Sequence, residues 1–293
     1  MKCNLMLAYI IIASILTLSP NVNAKTKHSH FVLVHGAGHG AWCWYKVTTL
    51  LQSAGHNVTN IDLTASGINL DKVSQVNSSV VDYAKPLMDF MESLPATVAN
   101  KVVLVSHSLG GLSISLAMES FPYKISAAVF VTSAMPAPNL SFLNISQELT
   151  RRAGSFMDSK VLFENGPNKP PTSLIFGPIY MATKMYQLSP PQDLVLAMSL
   201  VRAVPFFNNE ELVNKQVKLT KERYGSVKRV FIVCDQDLTL EESFQRWMIE
   251  RNPPHEVKVI NGTDHMAMFT KPLELFTYLG EIAAEKYSSN LLN

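Results

Sequence analysis

A serine, an aspartate and a histidine in this chain are of the types that together form an activated alcohol nucleophile. Ser108, Asp237 and His265 each lie just beyond a predicted strand, over 102–106, 229–234 and 257–260 respectively. In such a set the histidine takes the proton of the serine hydroxyl, and the carboxylate fixes the tautomer of the histidine. The carboxyl ends of parallel strands meet at one edge of a sheet, so we expect the three side chains to converge there and to transfer acyl groups.

Ser108 lies at a predicted strand-to-helix turn, between a buried strand over 102–106 and helical spacing over 109–121. Such a turn holds the hydroxyl clear of its own backbone, and the N–H of Leu109 is expected to stabilise the oxyanion. Ser106 stands where the pattern G-x-S-x-G has its first glycine. Serine is small, so we expect a tolerated variant, with an altered elbow as the alternative. A plain loop is the other interpretation of this pattern.

A glycine-rich loop, G-A-G-H-G over 36–40, follows the first predicted strand over 31–35. In a hydrolase this loop supplies a second oxyanion donor, for which we select the N–H of Ala37. A dinucleotide-binding loop is the competing interpretation. Its pattern has a third glycine where Ala41 stands, a position that alanine also occupies in some such loops, and Asp62 is the one acidic residue near the ribose position.

Metal and cofactor sites are not expected from this loop. His35 and His39 lie in it without a nearby cysteine, aspartate or glutamate to complete a ligand set. The formal net charge is +2, and the lysines and arginines are scattered. Nucleic acid is therefore not expected as a partner, and a small neutral substrate is. A homodimer is left open.

Two other aspartates compete with Asp237 for the carboxylate role. Asp264 adjoins His265 in the sequence, and neighbouring side chains usually point apart. The loop after Cys234 leaves Asp237 freer to reach inward than Asp235. We therefore expect Asp237 to be the acid.

Strands alternate with helices along most of the chain, which predicts an α/β fold with a mostly parallel sheet flanked by helices. The alternation breaks over 136–205, where nine prolines separate short helical patches rich in Met, Phe and Tyr. We interpret 136–205 as a helical lid inserted into a core formed by 25–135 and 206–293. Its Met and aromatic residues are expected to line an apolar pocket or only to pack the lid onto the core.

The amino terminus predicts a secretory signal peptide over 1–24, with Lys2, an apolar run over 5–18 and V-N-A before the cleavage site. The run is shorter than the roughly 20 residues of a bilayer span, so no stable span is expected after cleavage. We expect a location in the secretory pathway (secreted, endoplasmic reticulum or vacuole), or in the cytoplasm if the leader does not function. Five sequons predict a glycoprotein: Asn57, Asn77, Asn139, Asn144 and Asn261.

Five segments carry a resemblance to a known family: F-V-L-V-H-G-A-G-H-G-A-W-C-W-Y-K (31–46), A-G-H-N-V-T-N-I-D-L-T-A-S-G-I-N (54–69), S-H-S-L-G-G (106–111), E-R-Y-G-S-V-K-R (222–229) and D-H-M-A-M (264–268). They are similar to the plant methylesterases of the α/β-hydrolase superfamily. That family includes polyneuridine aldehyde esterase and salicylic acid-binding methyl salicylate esterase, with the hydroxynitrile lyases as relatives. The resemblance spans 31–287, and Ser106 and the leader depart from it.

The resemblance implies an α/β-hydrolase fold and hydrolysis of methyl esters of small hormones or specialised metabolites, without a cofactor. We expect Met266 to contact the substrate. The segment 222–229 is most similar to the alkaloid esterase, which suggests a β-formyl or β-keto ester whose free acid then loses carbon dioxide. The implied site comprises the triad Ser108, Asp237 and His265 and the oxyanion donors Ala37 and Leu109.

Two other functions compete with the esterase. The lyase relatives use a threonine and a lysine at positions that correspond to Gly36 and Met266, so a lyase would lack its cation. A ligand receptor or inactive relative would bind a hormone in the same pocket without turnover. The complete set of three catalytic residue types favours the esterase over the receptor.

Overall fold

The computed structural model describes residues 28–97 and 100–288. The predicted signal peptide over 1–24 lies outside these ranges. Within them, no helix combines the length and the apolar character that crossing a membrane requires.

Six parallel strands form the central sheet, as the alternation of strands and helices predicts. Their order across the sheet is second, first, third, fourth, eighth and ninth along the chain, and every neighbouring pair is parallel. The predicted strands are confirmed within two residues at their ends. The described residues form nine strands, β1 (His30–Val34), β2 (Asn57–Ile61), β3 (Val102–Ser108), β4 (Ile125–Ser133), β5 (Lys160–Leu162), β6 (Ser173–Ile175), β7 (Val204–Pro205), β8 (Arg229–Cys234) and β9 (Glu256–Ile260).

Helices cover the sheet and the site edge. After the glycine-rich loop the chain forms a 3₁₀ turn over Ala41–Trp44, followed by the first α-helix. The helices are α1 (Tyr45–Ser53), α2 (Val80–Ser93), α3 (Gly110–Ser120), α4 (Phe142–Arg152), α5 (Pro178–Tyr180), α6 (Pro191–Leu200), α7 (Glu210–Gln216), α8 (Glu242–Arg251), α9 (Ala267–Thr270) and α10 (Pro272–Ser288).

The four central strands of the sheet, β1, β3, β4 and β8, are almost wholly buried, whereas the edge strands β2 and β9 are partly exposed. Successive side chains of a strand point to opposite faces, so a central strand packs against both layers of helices. In β1, Phe31 and Leu33 pack in one cluster with residues of α1 and α10. Val32 and Val34 pack in a second cluster with residues of α2, α3 and α8. Strands buried on two faces need continuous apolar runs, which is the pattern that predicted them.

The inserted segment is not purely helical, which corrects the prediction of a helical lid. It contains α4, α5, a π-helical turn over Met181–Met185, and α6, but also an antiparallel sheet of β5, β6 and β7. These strands are two or three residues long, too short for an alternating pattern to reveal them. Residues just past the predicted boundary at 205 line the same cavity as residues of the inserted segment, namely Phe206, Phe207, Asn208 and Glu210.

Polar contacts attach this lid to the core. The buried Asp193 of α6 accepts hydrogen bonds from Lys46 Nζ (2.5 Å) and Tyr45 Oη (2.9 Å) of α1. The Arg202 backbone N–H donates to Gly38 O (2.9 Å) in the glycine-rich loop. The lid is therefore fixed over the carboxyl edge of the sheet, where the predicted site lies.

Candidate active site

Ser108 ends β3 at a sharp elbow. Its φ is +52°, a left-handed conformation that non-glycine residues rarely adopt, and α3 begins two residues later. Gly36 leaves room for this turn, because a Cβ at position 36 would lie 2.7 Å from Ser108 Cβ and 2.8 Å from His107 Nδ1. The strand-turn-helix prediction is confirmed, and Ser108 is held where its side chain lines a cavity.

Asp237 is the aspartate that contacts the predicted histidine. Its Oδ2 lies 2.7 Å from His265 Nδ1, and both side chains are buried. The backbone N–H groups of Thr239 and Leu240 donate to Oδ1 at 2.7 and 2.8 Å, and the Thr132 hydroxyl donates to Oδ2 at 2.5 Å. A carboxylate with four donors is fixed in one orientation, so it holds the His265 ring in place.

The two competing aspartates have other partners. Asp264 accepts hydrogen bonds from the backbone N–H and hydroxyl groups of the lid residues Leu188 and Ser189, at 3.0 and 2.8 Å. Asp235 accepts a 2.7 Å hydrogen bond from the backbone N–H of Gly262 in the loop that precedes His265. Both carboxylates therefore brace loops around the site rather than the imidazole.

His265 leaves one ring nitrogen available for proton transfer. With Nδ1 bonded to Asp237, Nε2 is buried and has no hydrogen-bond partner within the described part of the chain. The structure thus joins the histidine to the acid, but it forms no hydrogen bond from Ser108 to Nε2. In enzymes without substrate this contact is often long, and it tightens when substrate binds. His107 Nε2 lies 2.8 Å from His265 O and so steadies the histidine loop from the other side.

Ser106, the departure from the glycine pattern, is accommodated without a collision. It is fully buried, and its hydroxyl lies 3.0 Å from Ser133 Oγ and 3.4 Å from Val129 O. The hydroxyl therefore points to β4 and away from the cavity. Ser108 keeps the left-handed φ of the elbow although position 106 is serine and not glycine. This agrees with the expectation that Ser106 is a tolerated variant of the pattern.

Ala37 and Leu109, the predicted oxyanion donors, line the same cavity as Ser108. Leu109 caps α3, so its N–H precedes the hydrogen-bonded part of the helix, where backbone N–H groups lack intrahelical acceptors. His39 fixes the loop that carries Ala37, since its Nδ1 lies 2.8 Å from Ala37 O and its Nε2 2.6 Å from Tyr186 Oη in the lid. Burial lowers the pKa of His39 to about 4.

The loop histidines and Asp62 have structural partners. His35 Nδ1 lies 2.7 Å from Gly36 O, and its Nε2 accepts from the backbone N–H of Leu63 at 3.1 Å. Asp62 accepts from the backbone N–H of Ala41 at 2.6 Å, so it supports the loop instead of presenting a free carboxylate to a ribose. Over 28–97 and 100–288, no group of three or more His, Cys, Asp or Glu residues is arranged to hold a metal ion.

A cavity of about 480 Å³ opens over Ser108. Aromatic residues of the inserted segment form much of its wall, and Glu210 is the one charged residue among the described residues that line it. Met181 and Met185 are instead buried in the core cluster and Met157 and Met198 are exposed, so none of these four methionines of the segment lines the cavity, whereas four of its aromatic residues do. The aromatic residues lining the wall are Phe142, Phe156, Phe176, Tyr180, Phe206, Phe207 and Phe244.

Met266 does not have the predicted position. It is fully buried in the core cluster, it is not among the described residues that line the cavity, and its N–H donates to Asp264 at 3.0 Å. The turn into α9 directs its side chain inward.

Two residues that sequence reasoning missed contact the predicted site. Thr132 contacts Asp237, and Ser133 contacts Ser108. The signal that points to them is a pair of hydroxyl residues directly after the apolar run over 127–131.

Known proteins resemble this chain along nearly its whole described length. Residues 31–277 match the alpha/beta hydrolase family. Methyl jasmonate esterase 1 of Vitis vinifera is 56% identical over 265 residues, which are 90% of this chain and 100% of that protein. Salicylic acid-binding protein 2 of Nicotiana tabacum is 48% identical over 261 residues, 88% of this chain and 98% of that protein.

A solved structure has the same architecture. A variant of tomato methylketone synthase I complexed with β-ketoheptanoate superimposes with a TM-score of 0.83 at 50% identity, and the match covers 88% of this chain and 98% of that one. The predicted family and fold are thereby confirmed. The chain belongs to the α/β-hydrolase family, among the plant methylesterases, and is a carboxylic ester hydrolase.

Proposed function

We propose that this protein hydrolyses methyl esters of small apolar carboxylic acids, with methyl jasmonate as the first substrate to test. The observation that carries the proposal is the Asp237–His265 pair, whose free Nε2 lies at the same sheet edge as the Ser108 elbow beneath an apolar cavity. Methyl jasmonate is chosen because a 56% identical relative is named for it.

Each group has a defined step in this mechanism. Ser108 Oγ attacks the ester carbonyl carbon while its proton passes to His265 Nε2, and Asp237 stabilises the resulting imidazolium. The N–H groups of Ala37 and Leu109 donate to the oxyanion. The intermediate then collapses, methanol leaves with the proton from His265, and water hydrolyses the acyl-enzyme by the same route.

The cavity favours a neutral ester over the acid that the reaction produces. Its lining is mostly apolar, and its one charged lining residue among those described, Glu210, is itself exposed and negative. Burying a carboxylate without a cation or several donors is unfavourable. An apolar methyl ester is therefore expected to bind, and its carboxylate product to leave.

Methanol release by the purified protein tests the proposal. Methyl jasmonate, methyl salicylate, methyl indole-acetate and an alkaloid β-formyl ester form the panel. Ser108→Ala is expected to reduce turnover by at least about 10⁴-fold. Ser113→Ala is the matched control, because Ser113 is a buried serine of α3 whose hydroxyl has no partner in the described part of the chain. Equal release by Ser108→Ala and the wild type would reject the serine mechanism, and ligand binding without release would support a receptor-like role.

A β-keto or β-formyl methyl ester is a second candidate, favoured by the β-ketoheptanoate in the similar tomato structure. Hydrolysis of such an ester gives a β-keto or β-formyl acid, which loses carbon dioxide without a further catalytic group. Carbon dioxide is then expected to appear in step with methanol. Carbon dioxide that does not follow methanol release would reject this variant of the proposal.

The lyase alternative is disfavoured by the space at Gly36. A side chain at position 36 would collide with Ser108 Cβ and the His107 ring, so the threonine that the lyases place there does not fit this elbow. Met266, at the position of the lyase lysine, is uncharged and packed in the core. Release of cyanide from a cyanohydrin by the wild type would contradict this argument.

A further inference from the structure

The register of the central sheet changes at the edge where Ser108 lies. His107 of β3 pairs with Val131 of β4, whereas Ser108 pairs with Ser133. Thr132 is therefore an extra residue in β4, a β-bulge. Its φ is +36°, which is rare for a β-branched residue, and strain of this kind persists only where the surrounding structure fixes it.

The bulge directs the Thr132 hydroxyl to the acid. It donates to Asp237 Oδ2 at 2.5 Å, the same oxygen that lies 2.7 Å from His265 Nδ1. Thr132 is fully buried, so water does not replace this donor. The hydroxyl thus fixes the carboxylate oxygen that orients the imidazole.

Ser133, the next residue, contacts the opposite end of the site. Its hydroxyl donates to Ser108 O at 2.7 Å, and the Ala134 backbone N–H donates to the same oxygen at 2.9 Å. Because the Ser133 proton is used in this way, the Ser106 hydroxyl is the donor to Ser133 Oγ at 3.0 Å, and it shares its proton with the more distant Val129 O at 3.4 Å. The buried hydroxyl groups of Ser106 and Ser133 therefore form a chain that ends on the carbonyl oxygen of Ser108, the residue with the left-handed φ.

We propose that the β4 bulge, Thr132 with Ser133, is a positioning element for the ester hydrolysis. Thr132 holds Asp237, and Ser133, supported by Ser106, holds the backbone of Ser108. One strained turn thereby fixes the distance between the acid and the nucleophile. This inference rests on the proposed function, since it assigns positioning roles around the proposed triad.

The Thr132 contact is tested by two substitutions of similar shape. Thr132→Val removes the hydroxyl, and Thr132→Ser keeps it without the methyl group. Thr132→Val is expected to reduce kcat by roughly 10- to 100-fold with KM unchanged, because a catalytic group is then misplaced. Thr132→Ser is expected to retain most of the wild-type kcat. Thr48→Val is the control, because the Thr48 hydroxyl bonds Asn60 at the far edge of the sheet. Equal kcat in Thr132→Val and the wild type would overturn the role of Thr132.

The Ser133 contact has a closely matched control on the same strand. The Ser126 hydroxyl donates to Val102 O at 2.8 Å, at the opposite end of the β3–β4 pair. The rate of covalent labelling of Ser108 by a fluorophosphonate, measured beside thermal unfolding, is expected to fall about tenfold in Ser133→Ala and to stay unchanged in Ser126→Ala. Equal labelling rates in both variants and the wild type would overturn the role of Ser133.

The labelling experiment also separates this inference from the proposed function. A wild type that is not labelled at Ser108 and releases no methanol would contradict the proposed function itself. A labelled wild type with unaffected Thr132→Val and Ser133→Ala variants would leave the esterase intact and remove only the positioning role.

Discussion

The proposed catalytic groups at the sheet edge and the wall of the cavity above them are held by different kinds of contact. Asp237 accepts from four donors, and the Ser108 carbonyl accepts from two. The wall is formed mainly by aromatic rings that pack on one another, such as Phe176 stacked on Tyr180 at 5.4 Å. Hydrogen bonds are directional and fix single atoms, whereas ring contacts tolerate changes of shape.

We therefore expect the sheet edge to determine the rate of the reaction and the cavity wall to determine which substrate binds. Directional contacts among Thr132, Ser133, Asp237 and His265 are expected to allow little substitution without loss of rate. The aromatic wall is expected to allow substitutions that change which acid fits. Substitutions at the sheet edge should therefore lower kcat, and substitutions in the wall should change KM.

Substitution of Asp237, the proposed acid of the triad, is expected to have the largest effect on kcat. Asp237→Asn is expected to reduce kcat about 10⁴-fold, because an amide no longer holds His265 in the tautomer with a free Nε2. Asp264→Asn is the control, since Asp264 bonds the lid and the loop but not the imidazole. Steady-state kinetics with an activated ester measure both. A large loss of kcat in Asp264→Asn with little loss in Asp237→Asn would reverse the assignment of the acid.

The attachment of the lid depends on a buried ion pair. Lys46→Met leaves the carboxylate of Asp193, which is 1% exposed, without its cation, and is expected to lower the free energy of unfolding by about 3 kcal/mol. Urea unfolding measures this change. Lys85→Met is the matched control, because the Lys85–Asp89 pair is exposed on both sides and its loss should leave the unfolding midpoint nearly unchanged. Equal midpoints for the two variants would show that the Lys46–Asp193 pair does not secure the lid.

The junction of lid and sheet edge gives the protein a pH-dependent stability. Burial lowers the pKa of His39 from 6.5 to about 4, so the unfolded chain binds a proton in this window that the folded chain does not. The free energy of unfolding is therefore expected to decrease as the pH falls from 6.5 towards 4, and His39 alone accounts for about 2 kcal/mol at pH 5. Urea unfolding at pH 7.5 and pH 5 measures it, and His39→Gln should show a smaller difference. An undiminished difference in His39→Gln would assign the effect to His35 and His107, whose pKa values burial also lowers.

Much of the fold and of the site could be predicted because the signals are local. The central strands β1, β3, β4 and β8 contain continuous apolar runs, and Ser108, Asp237 and His265 lie at or after the ends of β3, β8 and β9. Asp264 was set aside because side chains of sequence neighbours usually point apart, and Asp235 because the loop after Cys234 leaves Asp237 freer to reach inward. The Asp237–His265 contact agrees with that reasoning.

The contacts that support the site could not be predicted, because they depend on register and on distant pairs. The Thr132 bulge arises from an offset between β3 and β4 that no periodicity in β4 reveals. Tyr186 meets His39 from 147 positions away, through the fold of the lid. Met266 was misplaced because its position next to the histidine suggested the pocket, whereas the turn into α9 directs it to the core.

The wall of the cavity provides the smallest and most selective test of the division between rate and substrate choice. Phe156 lines the cavity and is 42% exposed, so its removal should cost little stability. Phe156→Ala is expected to raise KM for apolar methyl esters about tenfold with kcat unchanged, because part of the apolar contact with the acyl group is lost. Phe163→Ala is the control, since Phe163 lies in the same inserted segment with a similar exposure of 46% but outside the cavity lining. A fall in kcat without a change in KM in Phe156→Ala would mean that the lid also takes part in positioning the reacting groups, and the contrast between the two regions would then disappear.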